Sequence, residues 1–239
     1  MIESKHLNFA YGRKNILTDL DFKMPEGEIS YLAGVNGSGK TTWIKCAVGL
    51  LSPQSGQVLF DGQTFEKIRD SFGICFDTPP VYPHLSCRDN LFILYKISCR
   101  SDREKELLDK MGISDYILKR PAGKISYGQR HRLGVAGAIL RHPKYLILDE
   151  PDLGLDPFVW ETVKKEICIL KEQGANIILT GQNFGQIEEL IDRVYLLSGG
   201  RIAEEVSMAD FRKKYGNKSG AEALKAAFIN AEGGSQLES

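Results

Sequence analysis

The sequence predicts an α/β fold: a parallel-sheet core with an antiparallel β segment at its N-terminus and a mostly helical lobe inserted in its middle. Three observations predict it. Apolar and polar residues alternate over residues 2–24 around a break at Tyr11-Gly12, as in antiparallel strands joined by turns. Short apolar runs then alternate with stretches of helical period, which implies a parallel sheet covered on both faces. Between residues 78 and 142 the strand pattern stops, and a Pro- and aromatic-rich segment leads into helical period and charge.

Residues 28–33 form a short strand ending in a Gly-rich run, and residues 40–50 have helical period until Ser52-Pro53-Gln54-Ser55-Gly56 ends it. Further strands are expected at 58–60 and 72–76. Helical character over 88–111 belongs to the inserted lobe. The core resumes with the buried-strand run 145–148 and a helix over 157–173, whose apolar stripe is Val159, Val163, Ile167 and Leu170. Strands at 176–180 and 194–197 complete the core domain, residues 1–215. The tail, 216–239, reads as a linker at 217–220, a helix over 221–231 with Leu224 and Phe228 on one side, and disorder after Gly233.

Composition argues against several function classes. With Lys+Arg and Asp+Glu both at 31, the net charge is zero, so no basic footprint for nucleic acid is present and no nucleic-acid partner is expected. Cys46, Cys75, Cys87, Cys99 and Cys168 are scattered and lack C-x-x-C spacing, which suits reduced thiols in a cytosolic protein. No apolar stretch reaches the ~18 residues needed to cross a bilayer, so a membrane role requires a membrane-spanning partner. His6, His84, His131 and His142 show no metal-ligand spacing.

Gly34-Val35-Asn36-Gly37-Ser38-Gly39-Lys40-Thr41 fits G-x-x-x-x-G-K-[ST] between a predicted strand and a predicted helix. Glycines let successive backbone N–H groups turn inward around a phosphate, and the helix start adds its positive dipole end. Lys40 reaches outer phosphates, the Thr41 hydroxyl suits Mg2+, and Thr42 adds a further phosphate contact. The core is thus of the P-loop NTPase type. Tyr145-Leu146-Ile147-Leu148 runs straight into Asp149-Glu150-Pro151 at a strand end, where open α/β sheets place ligands. Asp149 is the candidate metal ligand, and Glu150 the candidate acceptor of a proton from attacking water.

Ile125-Ser126-Tyr127-Gly128-Gln129-Arg130 resembles the LSGGQ signature of the ABC (ATP-binding cassette) family, and precedes the acid pair by that family's interval. Asp149-Glu150-Pro151 with Leu153-Gly154-Leu155-Asp156-Pro157 resembles the family's second acid motif and D-loop. Tyr11 matches the aromatic that stacks on adenine. The resemblance covers about residues 1–210 and implies an ATPase using ATP and Mg2+. It also implies a head-to-tail dimer with a second cassette, identical or not. There Ser126, Gly128 and Gln129 of one copy would cover nucleotide on the phosphate loop of the other. A membrane-spanning permease subunit would complete the machine, with this chain peripheral on the inner face of the cytoplasmic membrane. The same resemblance assigns docking of the membrane subunit to the Pro-rich loop 78–85 and the helical lobe. A soluble ABC ATPase in an assembly or regulatory role uses the same motifs and stays open as the alternative.

Two positions depart from the family pattern. Asp77 stands where a Gln senses metal and γ-phosphate, and Gln182 where a His contacts the γ-phosphate. Both can still reach an oxygen or a metal, but Gln182 cannot carry positive charge, and slow hydrolysis is one expected consequence. Tyr127 in place of the signature's Gly is a milder change.

Overall fold

The structure, a computed structural model, describes residues 1–181, 184–216 and 219–235. In chain order it contains β1 (Ile2–Tyr11), β2 (Lys14–Met24), β3 (Ile29–Ala33), α1 (Lys40–Ala47), β4 (Ser55–Phe60), α2 (Phe65–Ile68) and β5 (Phe72–Cys75). Next come α3 (Cys87–Tyr95), α4 (Asp102–Lys110), α5 (Asp115–Lys119), α6 (Tyr127–Leu140), β6 (Tyr145–Leu148) and α7 (Pro157–Glu172). The chain ends with β7 (Asn176–Thr180), α8 (Phe184–Ile187), β8 (Arg193–Ser198), β9 (Arg201–Ser207), α9 (Met208–Tyr215) and α10 (Gly220–Ser235). Two compact units divide it: residues 1–69 with 178–239, and residues 70–177.

In the first unit β1 is the centre of an antiparallel sheet ordered β2-β1-β4. Leu7, Leu17 and Leu20 are buried on its inner side, while Lys5, His6 and Asp19 face water, the alternation expected of a one-sided sheet. The same unit pairs β3 with β8 in parallel, Ser30 opposite Arg193 through Ala33 opposite Leu196. All five residues of β3 are buried, as a strand covered on both faces must be. Trp43 of α1 packs on Phe22, and Phe22 on Tyr195, with ring centroids about 5.5 Å apart.

The strand β9 has no counterpart in the sequence reading. Gly199 and Gly200 both take positive φ, 56° and 77°, and turn β8 back into β9 as a hairpin. β9 itself is half-exposed and carries Arg201, Glu204 and Glu205, so it lacks the apolar run that marks a core strand.

In the second unit β5 and β6 pair in parallel, Phe72 opposite Tyr145, and those two rings stack at 4.9 Å. The helical stretch expected over 88–111 is two helices. α3 stops at Lys96 (φ 62°), and α4 starts from a capping box between Ser101 and Glu104. The Glu104 carboxylate also accepts the backbone N–H groups of Ser98 and Arg100, which fixes the turn between the helices. Glycines bring α6 close to its neighbours: a Cβ at Gly134 would stand 2.9 Å from Cys75 Sγ and from Pro79. At Gly137 it would stand 2.5 Å from the Tyr95 ring. The α7 stripe of Val159, Val163, Ile167 and Leu170 is buried as its spacing predicts.

Candidate functional site

In the first unit the phosphate loop leaves the end of β3 and enters α1. Gly37 (φ 80°) and Gly39 (φ 112°) occupy backbone space that a side chain disfavours. Gly34 is required for room: a Cβ there would lie 2.2 Å from Ser38 Oγ and 2.9 Å from the Leu197 carbonyl oxygen. Gly39 caps α1 without a side-chain hydrogen bond, and no acid sits in the first turn to compete for an anion. Buried Lys40 turns its ammonium back along the loop, donating to the carbonyls of Gly34 (2.7 Å) and Val35 (3.4 Å). The Ser38 hydroxyl is buried without a hydrogen-bond partner among the described residues. An orphan of that kind costs about 1–3 kcal/mol unless something else satisfies it.

Thr41 and Thr42 follow, both half-buried, and Val35, Asn36 and Gly37 are exposed at the loop's crest. Tyr11, at the end of β1, is 51 % exposed, with its ring edge-on to Phe9 at 4.9 Å. One positioning residue escapes sequence reasoning. Tyr31, fully buried in β3, donates its hydroxyl to the carbonyl of Gly181 at 2.5 Å. The strand that feeds the phosphate loop thereby also holds the residue before Gln182. Gln182 itself lies outside the described residues. A tyrosine at the centre of this short buried strand was the signal for this.

In the second unit, buried β6 delivers Asp149 at 1 % exposure, and its backbone N–H donates to the Cys75 carbonyl at 2.9 Å. The chain leaves the strand at Glu150, whose φ of 52° is unusual for a side-chain-bearing residue. Leu153 N–H then donates to Glu150 O (3.1 Å), closing the turn that leads to Asp156. Asp156 caps α7 by accepting the Val159 N–H at 3.0 Å, with Pro157 at the first helical position. Burial foremost, then the negative charges of Asp149 and Asp77, push the Cys75 thiol far up, so it stays neutral among these acids. Cys46 and Cys99 are pushed up to about 11, chiefly by burial, and none of the three is a reactive thiol at neutral pH.

Ser126 is the N-cap of α6, accepting the Gln129 N–H at 3.2 Å, while the Gln129 side chain accepts the Ser126 N–H at 3.0 Å. Gly128 faces the turn before α7: a Cβ added to it would stand 3.1 Å from the Gly154 carbonyl oxygen. Asp77 is half-buried after β5, its carboxylate accepting its neighbour Thr78's N–H at 2.6 Å. Tyr127 stacks over fully buried His131, ring centroids 6.2 Å apart, and burial lowers the pKa of that imidazole, favouring its neutral form. The second unit therefore holds Asp77, Ser126, Gly128, Gln129, Asp149 and Glu150, and the first holds Tyr11 and residues 34–42.

A family model described as ABC transporter matches residues 17–153. The lantibiotic transport ATP-binding protein SrtF of Streptococcus pyogenes is 33% identical over 233 residues, 96% of each chain. A solved ATP-binding subunit of an ABC transporter superposes with TM-score 0.83 at 27% identity, covering 97% of this chain and 99% of that one. A bacterial ABC transporter cassette solved as a dimer shares the fold, with TM-score 0.76 at 21% identity over 87% of this chain and 99% of its own.

Proposed function

This chain belongs to the ABC transporter family, and from that membership we propose that it is the ATP-hydrolysing subunit that powers a membrane transporter through ATP-driven closure of two cassettes. The observation that carries the reading is the loop at 34–40. Gly34 and Gly39 leave no room for a side chain and Gly37 takes positive φ, the lysine folds over the loop's own carbonyls, and the buried Ser38 hydroxyl has no partner among the described residues. Such a cradle suits a triphosphate.

In this reading Lys40, Ser38, Thr41 and Thr42 contact phosphate oxygens, together with the backbone N–H groups of Gly34 to Gly39, Val35 and Asn36 among them. Exposed Tyr11 offers a ring face to adenine. Thr41, Asp149 and Asp77 are hard oxygen donors of the kind Mg2+ takes. Among the described residues no cluster of three or more His, Cys, Asp or Glu forms a self-contained metal cage. That fits an ion held mainly by phosphates and one or two carboxylates. When bound, it offsets negative charge on the phosphates. Glu150 accepts a proton from the attacking water, and Gln182 hydrogen-bonds near the terminal phosphate.

The second cassette supplies Ser126, Gly128 and Gln129 over the nucleotide. The capping box already holds the first turn of α6 ready to present its N-terminus. Asp77 brings a negative charge where a neutral Gln is usual, and it slows hydrolysis relative to the family pattern. No helix of the described residues is long and apolar enough to cross a membrane, so the transport path belongs to a permease partner. That partner places this chain on the inner face of the cytoplasmic membrane. Tyr82, Leu85, Phe92 and Ile93 are exposed apolar residues of the helical lobe, suited to receive it.

The test is copurification of the tagged chain from its native host. Recovery with a multi-span apolar protein from the membrane fraction supports the reading. Recovery from the soluble fraction without one contradicts it and favours a soluble ABC ATPase.

A further inference from the structure

The C-terminal helix α10 is more than a tail. Ala223 and Ala227 are buried, and a Cβ on Gly220 would stand 2.7 Å from the Gly185 Cα, so the helix seats tightly on α8. Its adjoining face, with half-buried Leu224 and Phe228 and exposed Ile229, walls a cavity of about 410 Å³. Gly34, Val35 and Gly181 line the same cavity, so the phosphate loop itself borders it. All of these residues belong to the first unit.

The second unit carries a matching knob. Phe158, the second residue of α7, is 86 % exposed, whereas a phenylalanine without a binding role gains from burial. Its position is fixed relative to the signature helix. Gly128 lies so near the turn at Gly154 that an added Cβ would stand 3.1 Å from its carbonyl oxygen, and Arg132 of α6 lies 3.8 Å from the α7 cap Asp156. A copy that lays Ser126 to Gln129 over a phosphate loop brings the start of α7, and Phe158 with it, toward the same interface.

We propose that the Phe158 ring of a second copy of this chain seats in the cavity between the phosphate loop and α10. The inference rests on the cassette pairing proposed above, and adds the anchor and its receptor. Twofold pairing makes the contact twice, once at each loop. An aromatic ring entering an apolar recess beside the nucleotide has the character of an interface hot spot. It also gives α10 a role: the helix completes the recess, so nucleotide closure reads the C-terminal segment.

The experiment uses the full chain with Glu150→Gln, which keeps ATP bound, and measures Mg-ATP-dependent dimerisation by sedimentation. In that background Phe158→Ala weakens the dimer about tenfold or more, and Phe228→Asp does the same from the receptor side, while ATP affinity of the monomer is unchanged. A second measurement replaces Cys168 by Ser and introduces Lys225→Cys and, leaving the Phe158 ring in place, Glu161→Cys at the exposed position three residues on in α7. A short bis-maleimide then links chains only with Mg-ATP. Should the Glu150→Gln chain never dimerise, pairing of this chain with a second copy of itself fails, and this inference with it, while pairing with a different cassette is untouched. Should it dimerise with equal affinity after Phe158→Ala and give no cross-link, the pairing stands and the Phe158 anchor is wrong.

Discussion

The hydroxyl of Tyr127 donates to the backbone carbonyl of Asp77 at 2.5 Å. The two residues are 50 positions apart, and each departs from the family pattern, so the structure joins two departures in one contact. A glycine at 127 could not make it. Burial foremost, with the negative charge of Asp77 next, raises the Tyr127 pKa, which keeps the phenol protonated and able to donate. Tyr127→Phe removes one hydrogen bond, worth about 1 kcal/mol, and frees the segment at 77. Steady-state kinetics should show kcat lower by about fivefold, with KM for ATP nearly unchanged.

Asp77→Gln restores the neutral side chain of the family pattern. We expect hydrolysis to speed up by about tenfold, one 1.36 kcal/mol step in the barrier. Phosphate release per chain under saturating Mg-ATP measures it, and Gln182→His should add to the gain.

Glu150→Gln removes the proton acceptor while preserving shape. Turnover should drop by about 10²–10⁴, and ATP affinity by titration should stay within twofold. An equal loss in both would assign Glu150 to binding instead.

Gly34→Ala forces a Cβ to within 2.2 Å of Ser38 Oγ and 2.9 Å of the Leu197 carbonyl. Overpacking of this kind costs about 1–3 kcal/mol. Thermal unfolding should register a Tm lower by about 2–4 °C for each kcal/mol, with weaker nucleotide binding.

Tyr82→Glu places charge on a half-exposed aromatic in the Pro-rich loop. Copurification with the membrane subunit should fall while ATP binding by the purified chain persists.

The phosphate loop, the Asp149-Glu150 turn and the signature were legible because each chemistry dictates a residue type at a fixed spacing. The buried strands β3 and β6 were legible too, since strands covered on both faces are continuous apolar runs. What stayed hidden depends on contacts far apart in sequence. Tyr31 reaching Gly181 spans 150 residues, and Tyr127 reaching Asp77 spans 50. β9 was missed because an edge strand carrying Arg201, Glu204 and Glu205 has no apolar pattern. The cavity beside Leu224 and Phe228 was equally invisible, although those two residues were legible as a stripe on one helix face.

The most direct test is calorimetric titration of Mg-ATP into the native chain and into Lys40→Ala, with circular dichroism confirming that both are folded. Charged hydrogen bonds are worth about 1.5–3 kcal/mol, so the native chain should bind saturably and the variant about 10–100-fold more weakly. No heat of binding to the native chain, or equal affinity in the two, would contradict the assignment of residues 34–42 as the ATP cradle.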